Sequence, residues 1–478
     1  MMIATMLAAV RLAAPFTDGA VLQREMKVPV WGTADAGEEI RVSFAGQERK
    51  GTTGTDGRWR VDLAPMKACC EGRELVVSSG GQAGRSGGRI VVRDVLVGEV
   101  WLCSGQSNMG IPWWGDSPRA RDRMGYQIGQ ITSRPLLRSC FLGNGWSDRP
   151  QTDERVVWKS CTPEFLLTGD FTAVGLWYGL TLQTTLGIPV GLMGAYVGAT
   201  DIETWIPDCK TPPPPRLASQ NGQKPSHYHN GKVAPIVPYA MRGAIWYQGE
   251  SNTEKNEIPK YVGRMRDLHN GWKRVFENPH FKLYFCQLCP WGNPLVPLMQ
   301  EEQEKFARAE PDAGMAVLCD VGNIHDIHPN DKQTPGVRLA LLALKRDYGY
   351  TEIVADSPTL KSWEVSGGKF RLTFNDVKKW FVYDPDWRHI RDPRRSVEYG
   401  FEVAGADGRW VKAEIGNFQK VPDRFLEYRG QITNEVLEVF APQVKEPKAL
   451  RYLHAHPWRG YLANEAGLPV GAFHIDAR

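Results

Sequence analysis

The stretch Ile90-Val-Val-Arg-Asp-Val-Leu-Val-Gly-Glu-Val-Trp-Leu-Cys103, followed after Ser104 by Gly105-Gln-Ser-Asn-Met109, decides how the chain is read. Its apolar, β-branched residues run almost without a break, the mark of a strand buried on both faces in a sheet covered by helices. The run ends near Gly105, and glycine permits the tight turn that carries a chain off a strand end. Ser107 follows two residues later, exposed to ligand if the strand ends there. A parallel α/β region is therefore expected to start near residue 96.

Working outward, the same character returns in Val190-Gly-Leu-Met-Gly-Ala-Tyr196, Gly243-Ala-Ile-Trp-Tyr247, Lys282-Leu-Tyr-Phe-Cys-Gln-Leu288 and Met315-Ala-Val-Leu-Cys-Asp320. Between these runs, Val174 to Leu186, Tyr261 to Phe276 and Val337 to Tyr348 repeat apolar residues three or four apart, which predicts helices. Strands alternating with helices imply a doubly wound parallel sheet, whose ligands gather at the carboxyl ends of the strands. Upstream, Val28-Pro-Val-Trp31, Glu39-Ile-Arg-Val-Ser-Phe44 and Trp59-Arg-Val-Asp-Leu63 alternate between Gly- and Asp-rich turns and predict a small β domain. Beyond about residue 356, Phe370-Arg-Leu-Thr-Phe374, Val397 to Val403 and Val436 to Phe440 repeat the pattern and predict a second one. The expected organisation is an N-terminal segment 1–9, a β domain 10–95, a catalytic α/β domain 96–355 and a C-terminal β domain 356–478. Pro212 to Pro215 reads as an exposed loop, and no fixed-period repeat suggests a solenoid or propeller.

A chain of 478 residues exceeds what one core ordinarily serves, in keeping with two or three domains. Its 42% hydrophobic and 23% charged residues are those of an ordinary globular chain. The net charge of +4 is small and dispersed, so nucleic acid is not an implied partner. The densest basic run, Arg388 to Arg395, is broken by Asp392 and Pro393 and reads as a solvated loop, with contact to an anion or acidic glycan as the lesser alternative. No run reaches the roughly 18 apolar residues of a membrane-spanning helix. Met2 to Val10 is apolar and contains a small-residue site at Leu7-Ala8-Ala9, but lacks a preceding basic residue, so it reads as a weak or clipped secretion signal. Nine cysteines, an odd number irregularly spaced, do not form a disulfide framework and leave at least one free. Cys286 and Cys289 have redox or zinc spacing, but no second pair completes a site and their surroundings read as a buried strand.

Four segments fall where strand ends are expected. In the first, on spacing alone, a turn serine capping the next helix is a more common explanation of Ser107 than a nucleophile. In the second, Ile324-His-Asp-Ile-His-Pro-Asn-Asp-Lys332, His328 is a candidate base, Asp326 could hold its other nitrogen, and His325 competes. A loop Asp and His pair more often at a surface, yet Ser, Asp and His at the ends of one sheet would supply nucleophile, orienter and base. The third and fourth, Trp246-Tyr-Gln-Gly-Glu-Ser-Asn252 and Val197-Gly-Ala-Thr-Asp-Ile-Glu-Thr-Trp205, carry donors for a developing oxyanion: the Gln248 amide and the N–H of Gly198 or Ala199. Judged alone, either segment is equally well read as a polar helix cap.

Taken in order, Gly105-Gln-Ser-Asn-Met109, Trp246 to Asn252 and Asp326-Ile-His-Pro329 resemble the sialate O-acetylesterase family of SGNH hydrolases. The resemblance extends upstream to Phe16-Thr-Asp-Gly-Ala-Val-Leu-Gln-Arg24 and Val28 to Gly32, and downstream from Val397 to Phe473, covering nearly the whole chain. It implies an SGNH, flavodoxin-like sheet flanked by β-sandwich-like domains. It also implies Ser107 as nucleophile, His328 as base and Asp326 as orienter, with Asp320 in reserve. Ser107, Gly198 and Gln248 would form the oxyanion hole, Asn108 and Glu250 would support the site, and neither metal nor organic cofactor would be needed. Two departures stand out: Gly198-Ala-Thr200 replaces the usual Gly-Gly-Thr, and Asp320-Val-Gly-Asn323 replaces Asp-x-Gly-Asp. The activity implied is removal of O-acetyl groups from a sugar such as sialic acid, by a secreted or periplasmic enzyme. Acetylated xylan or another plant polysaccharide is the alternative substrate, and a glycan-binding protein with a dormant centre is the alternative class. Trp113 and Trp114 could stack on a sugar ring, although a core role is the commoner one for any single Trp.

Overall fold

The computed structural model describes residues 10–80, 88–112, 133–143, 145–152, 156–168, 170–214, 223–322, 325–383, 400–420, 430–432, 435–454 and 461–477. Trp113, Trp114, Pro215, Arg388 to Arg395 and most of the N-terminal apolar segment lie outside them. The chain forms two compact units, the first comprising residues 1–251 and 263–283, the second residues 252–262 and 284–478.

The first unit is organised by one strand, β1 (Arg89–Gly105), 17 residues long. Its first half pairs antiparallel with Cys69–Ser79. Its centre receives Val21–Gln23 in parallel. Its second half lies between two parallel neighbours. With β2 (Arg134–Phe141), β3 (Val190–Tyr196) and β4 (Gly243–Tyr247), the order is Lys159–Cys161, β2, β3, β1, β4. Only Lys159–Cys161 is antiparallel to its neighbour there, so the central sheet is mixed. Residues Val95 to Gly105 are all buried, which accounts for the apolar run, broken by one charged residue, Glu99, that distinguishes this strand.

Helix α1 (Ser107–Gly110) follows β1, and α2 (Ala173–Leu186) precedes β3. The Thr172 hydroxyl accepts the Gly175 N–H and opens α2, and Gly187 closes it in the left-handed region at φ 67°. Helix α3 (Tyr261–Val275) carries Trp272 into a buried row with Trp246 and Trp205, ring centroids 5.6 and 6.2 Å apart. These tryptophans are core residues. The strands over Val28–Thr33, Glu39–Phe44 and Arg58–Leu63 appear where alternation predicts them, antiparallel to their neighbours.

The chain passes from the first unit to the second along β5 (Lys282–Cys286). In the second unit α4 (Val296–Ala309) and α5 (Gln333–Asp347) pack on β6 (Ala313–Ala316). Strand β6 begins two residues before the predicted run, and α5 begins four before. Three four-stranded antiparallel sheets follow, built from strands between Thr359 and Asp476. Their buried aromatics include Trp380 edge-on to Phe374 and Phe401 against Tyr452. The whole is a mixed α/β protein with a central mixed sheet and additional antiparallel sheets. Among the described residues no helix is long and apolar enough to cross a membrane.

Candidate active site

Three strand ends of the first unit converge on Gly105. The Val197 N–H, just past β3, donates to the Gly105 carbonyl at 3.2 Å, and the Gln106 N–H donates to the Tyr247 carbonyl at the end of β4 at 3.0 Å. Gly105 has φ of 134°, and a Cβ placed on it would lie 2.2 Å from the Tyr247 oxygen, so glycine is required by both conformation and space. The close approach turns the chain into α1 and makes half-buried Ser107 its first residue.

Gly198 packs against that serine: a Cβ built on Gly198 would lie 3.5 Å from the Ser107 Cβ. Ala199 takes φ of 55°, a left-handed conformation in which glycine is at ease and alanine is strained, so the alanine stands at a position that favours glycine. The loop is held nonetheless. Gln223 donates from Nε2 to the Ala199 carbonyl at 2.8 Å and accepts the Asp201 N–H at 3.3 Å, while the Thr200 hydroxyl accepts the Trp205 indole N–H at 3.0 Å.

Gln248 is fully buried and donates from Nε2 to the Thr200 carbonyl at 3.0 Å, which ties the end of β4 to the Gly198 loop through one of its two amide hydrogens. Buried Asn108 donates from Nδ2 to Glu250 Oε1 at 2.5 Å. Gln106 Oε1 accepts the Ser251 N–H at 3.3 Å. Ser107, Asn108, Gly198, Gln248 and Glu250 therefore form one connected set in the first unit. Gln106, Thr200 and Gln223 belong to its support but were not singled out by the sequence: Gln106 adjoins a motif that drew attention to Ser107, and Gln223 lies in a polar segment with no signal of its own.

The Asp326 to His328 turn belongs to the second unit. There the Asp326 carboxylate accepts the His328 backbone N–H at 2.8 Å, closing a local turn around the histidine. His325 is exposed and His328 half-buried. Asp320 forms a two-pronged ion pair with Arg338, at 2.7 and 2.6 Å, so the reserve orienter holds a guanidinium. Asn323 and Ile324 lie outside the described residues. A cleft of about 1240 Å³ in the first unit, lined by Trp31, Arg58, Trp59 and His229 among others, includes none of the Ser107 set.

The comparisons with known proteins agree with one another. Residues 160–320 match the family described as carbohydrate esterase, sialic acid-specific acetylesterase. The chain is 28% identical to a sialate O-acetylesterase of Mus musculus, covering 76% of this chain and 79% of that protein. It is 28% identical to one of Rattus norvegicus, covering 85% of each. A carbohydrate acetylesterase from Xanthomonas citri, solved by crystallography, superposes with a TM-score of 0.81 at 29% identity over 98% of this chain and 100% of that one. The chain is a relative of the carbohydrate esterases. Within that class, its likeness is to the sialate O-acetylesterase family, as the three ordered motifs imply.

Proposed function

We propose that this chain is an SGNH-type serine esterase that removes O-acetyl groups from sugars, its sheet arranged in the flavodoxin-like manner. The observation that carries the reading is the packing of Gly198 against Ser107 at a junction of parallel strand ends. A nucleophile and an adjacent main chain are what an oxyanion centre requires.

Ser107 Oγ attacks the acetyl carbonyl carbon while His328 takes the hydroxyl proton. Negative charge develops on the carbonyl oxygen, where the N–H groups of Ser107 and Gly198 and the Gln248 amide donate. Each such donor is commonly worth about 10²- to 10³-fold in rate. The tetrahedral adduct collapses, the C–O bond to the sugar breaks, and the sugar hydroxyl leaves with the proton from His328. Water, deprotonated by His328, then attacks the acetyl-serine and releases acetate. Asp326 orients the imidazole, and Asn108 with Glu250 keeps the turn after Ser107 rigid. Residues 10–95 and 356–478 serve as flanking β domains of the catalytic domain 96–355. Sugar-polymer or host-glycan substrates place the enzyme outside the cytosol, checked by N-terminal sequencing of exported protein; an uncleaved Met1 in cytosol would count against it.

Acetate release from acetylated sialic acid and acetylated xylan is the test, with Ser107→Ala assayed in parallel. Release by the parent protein and a fall of roughly 10⁴-fold or more in the folded variant are expected. The ratio between substrates ranks sialic acid against plant polysaccharide. No release by either folded protein, with glycan binding retained, would replace the enzyme by a binding protein with a dormant centre.

A further inference from the structure

Three side chains that the ester chemistry does not use meet inside the second unit: Glu301 on α4, His454 just after strand Ala449–Tyr452, and His474 on strand Phe473–Asp476. Those two strands are paired, Tyr452 opposite Phe473, so both histidines emerge at one edge of a ladder, facing the helix. Glu301 Oε1 lies 2.8 Å from His454 Nε2 and 2.7 Å from His474 Nδ1, and Oε2 lies 2.7 Å from the same Nδ1. One ligand atom from each residue falls within 4.8 Å of the other two. The Glu301 and His454 side chains are 9% and 11% exposed, whereas His474 is 53% exposed, so the cluster has a buried floor and one open side.

Two imidazole nitrogens turned onto one buried carboxylate have two physical explanations: hydrogen bonds, or a shared cation. Hydrogen bonds alone would leave Glu301 as a local brace between helix and strands. The donor set favours more than that. Imidazole suits the borderline transition metals and is poorly matched to calcium or magnesium, which take oxygen ligands. At metal–ligand lengths of about 2.0–2.2 Å, donors this close subtend roughly a right angle, so closing onto an ion needs small side-chain movements.

We propose that Glu301, His454 and His474 form a structural site for a divalent transition-metal ion of the zinc type, with water completing its coordination at the open side. The ion would clamp α4 to two strands more than 140 residues further along the chain, closing a long loop. Ester cleavage as proposed above needs no metal, so stability is the property this ion controls.

The test uses tag-free, full-length protein stripped with a chelator, titrated with zinc by calorimetry and analysed for retained metal after dialysis. One equivalent bound and a raised Tm are expected. In His474→Ala, whose half-exposed side chain can be removed without opening the core, the affinity should fall at least about 100-fold and the zinc-induced rise in Tm should vanish, while the metal-free Tm stays near that of the parent. Glu301→Gln should lose the metal likewise. Cobalt(II) distinguishes this site from the nine free thiols. Visible d–d bands without sulfur-to-cobalt charge transfer support it, and a thiolate spectrum overturns it. No retained metal in the parent, or equal retention in His474→Ala, overturns it too.

Discussion

At Gly105 the chain leaves a buried strand with a backbone that only glycine adopts freely, pressed against the Tyr247 carbonyl. Gly105→Ala meets both penalties at once: a left-handed conformation costing about 1–2 kcal/mol and a Cβ overlapping main chain that has no rotamer to yield. We expect it to destabilise the protein by about 3 kcal/mol or more, read as a shift in the chemical-denaturation midpoint at unchanged slope. A loss under about 1 kcal/mol would mean that the turn is slack. The local signal for this residue was strong, because a glycine between an apolar run and Ser107 has few other reasons to be there. Ala199 was legible as a departure, but its left-handed φ of 55° was not, since alanine gives no hint of it. Nor was the tie from Gln248 to the Thr200 carbonyl, because sequence reports that an amide is present and not where it points.

At the scale of an element, β1 does the most. Halfway along it Glu99 is wholly buried, accepting from Gln23 Nε2 at 3.0 Å, from Arg24 Nε at 2.5 Å and from Arg242 Nε and a terminal nitrogen at 3.1 Å each. Burial pushes this carboxyl up, but the Arg242 and Arg24 guanidiniums and Gln23 outweigh it and hold the pKa below its ordinary 4.5. The folded value is depressed, so the stability it contributes is complete above about 4.5 and is lost as pH falls through the folded value. Glu99→Gln should therefore cost about 3 kcal/mol at neutral pH, because two guanidiniums lose their buried counter-charge and keep the exposed Glu25, and the gap to the parent should narrow as the solution is acidified. Denaturant titrations of both proteins at stepped pH measure it, and a gap that stays constant to the onset of acid unfolding would remove Glu99 as the cause. Strand identities were legible from runs of β-branched residues: Val190–Tyr196, Gly243–Tyr247 and Glu39–Phe44 fall where alternation or continuous apolarity places them. What could not be read is that β1 serves two sheets, since partner choice depends on contacts distant in sequence. Helix α4 was also missed, for a physical reason. Its buried face carries Gln300, Glu301 and Gln303, two of which bond the main chain beside β5, so its apolar stripe is thin.

Over the whole molecule the cysteines set a constraint that no single site reveals. All nine are free thiols, six of them buried, and Cys69 and Cys70 are adjacent without being bridged. Cys286, the last residue of β5, and Cys289, three residues beyond it, are among the buried ones. Desolvation pushes the Cys103 and Cys319 thiols up, and Cys161 up to about 12, so at neutral pH these groups are neither nucleophilic thiolates nor accessible. Cys209 is half-buried and is pushed up as well, again by desolvation first. The fold thus rests on packing and hydrogen bonds without disulfide staples, consistent with a chain long enough to bury large cores. A thiol-reactive chromophore at neutral pH should label Cys70 fast, Cys69 and Cys209 more slowly, and the remaining six only on unfolding, for a total of nine without prior reduction. Reductant should leave Tm unchanged. Fewer than nine thiols in unreduced, denatured protein would reveal a bridge and overturn this account. Retention of the six buried thiols in protein recovered from an oxidising compartment would show that burial protects them during the passage that the proposed substrates require.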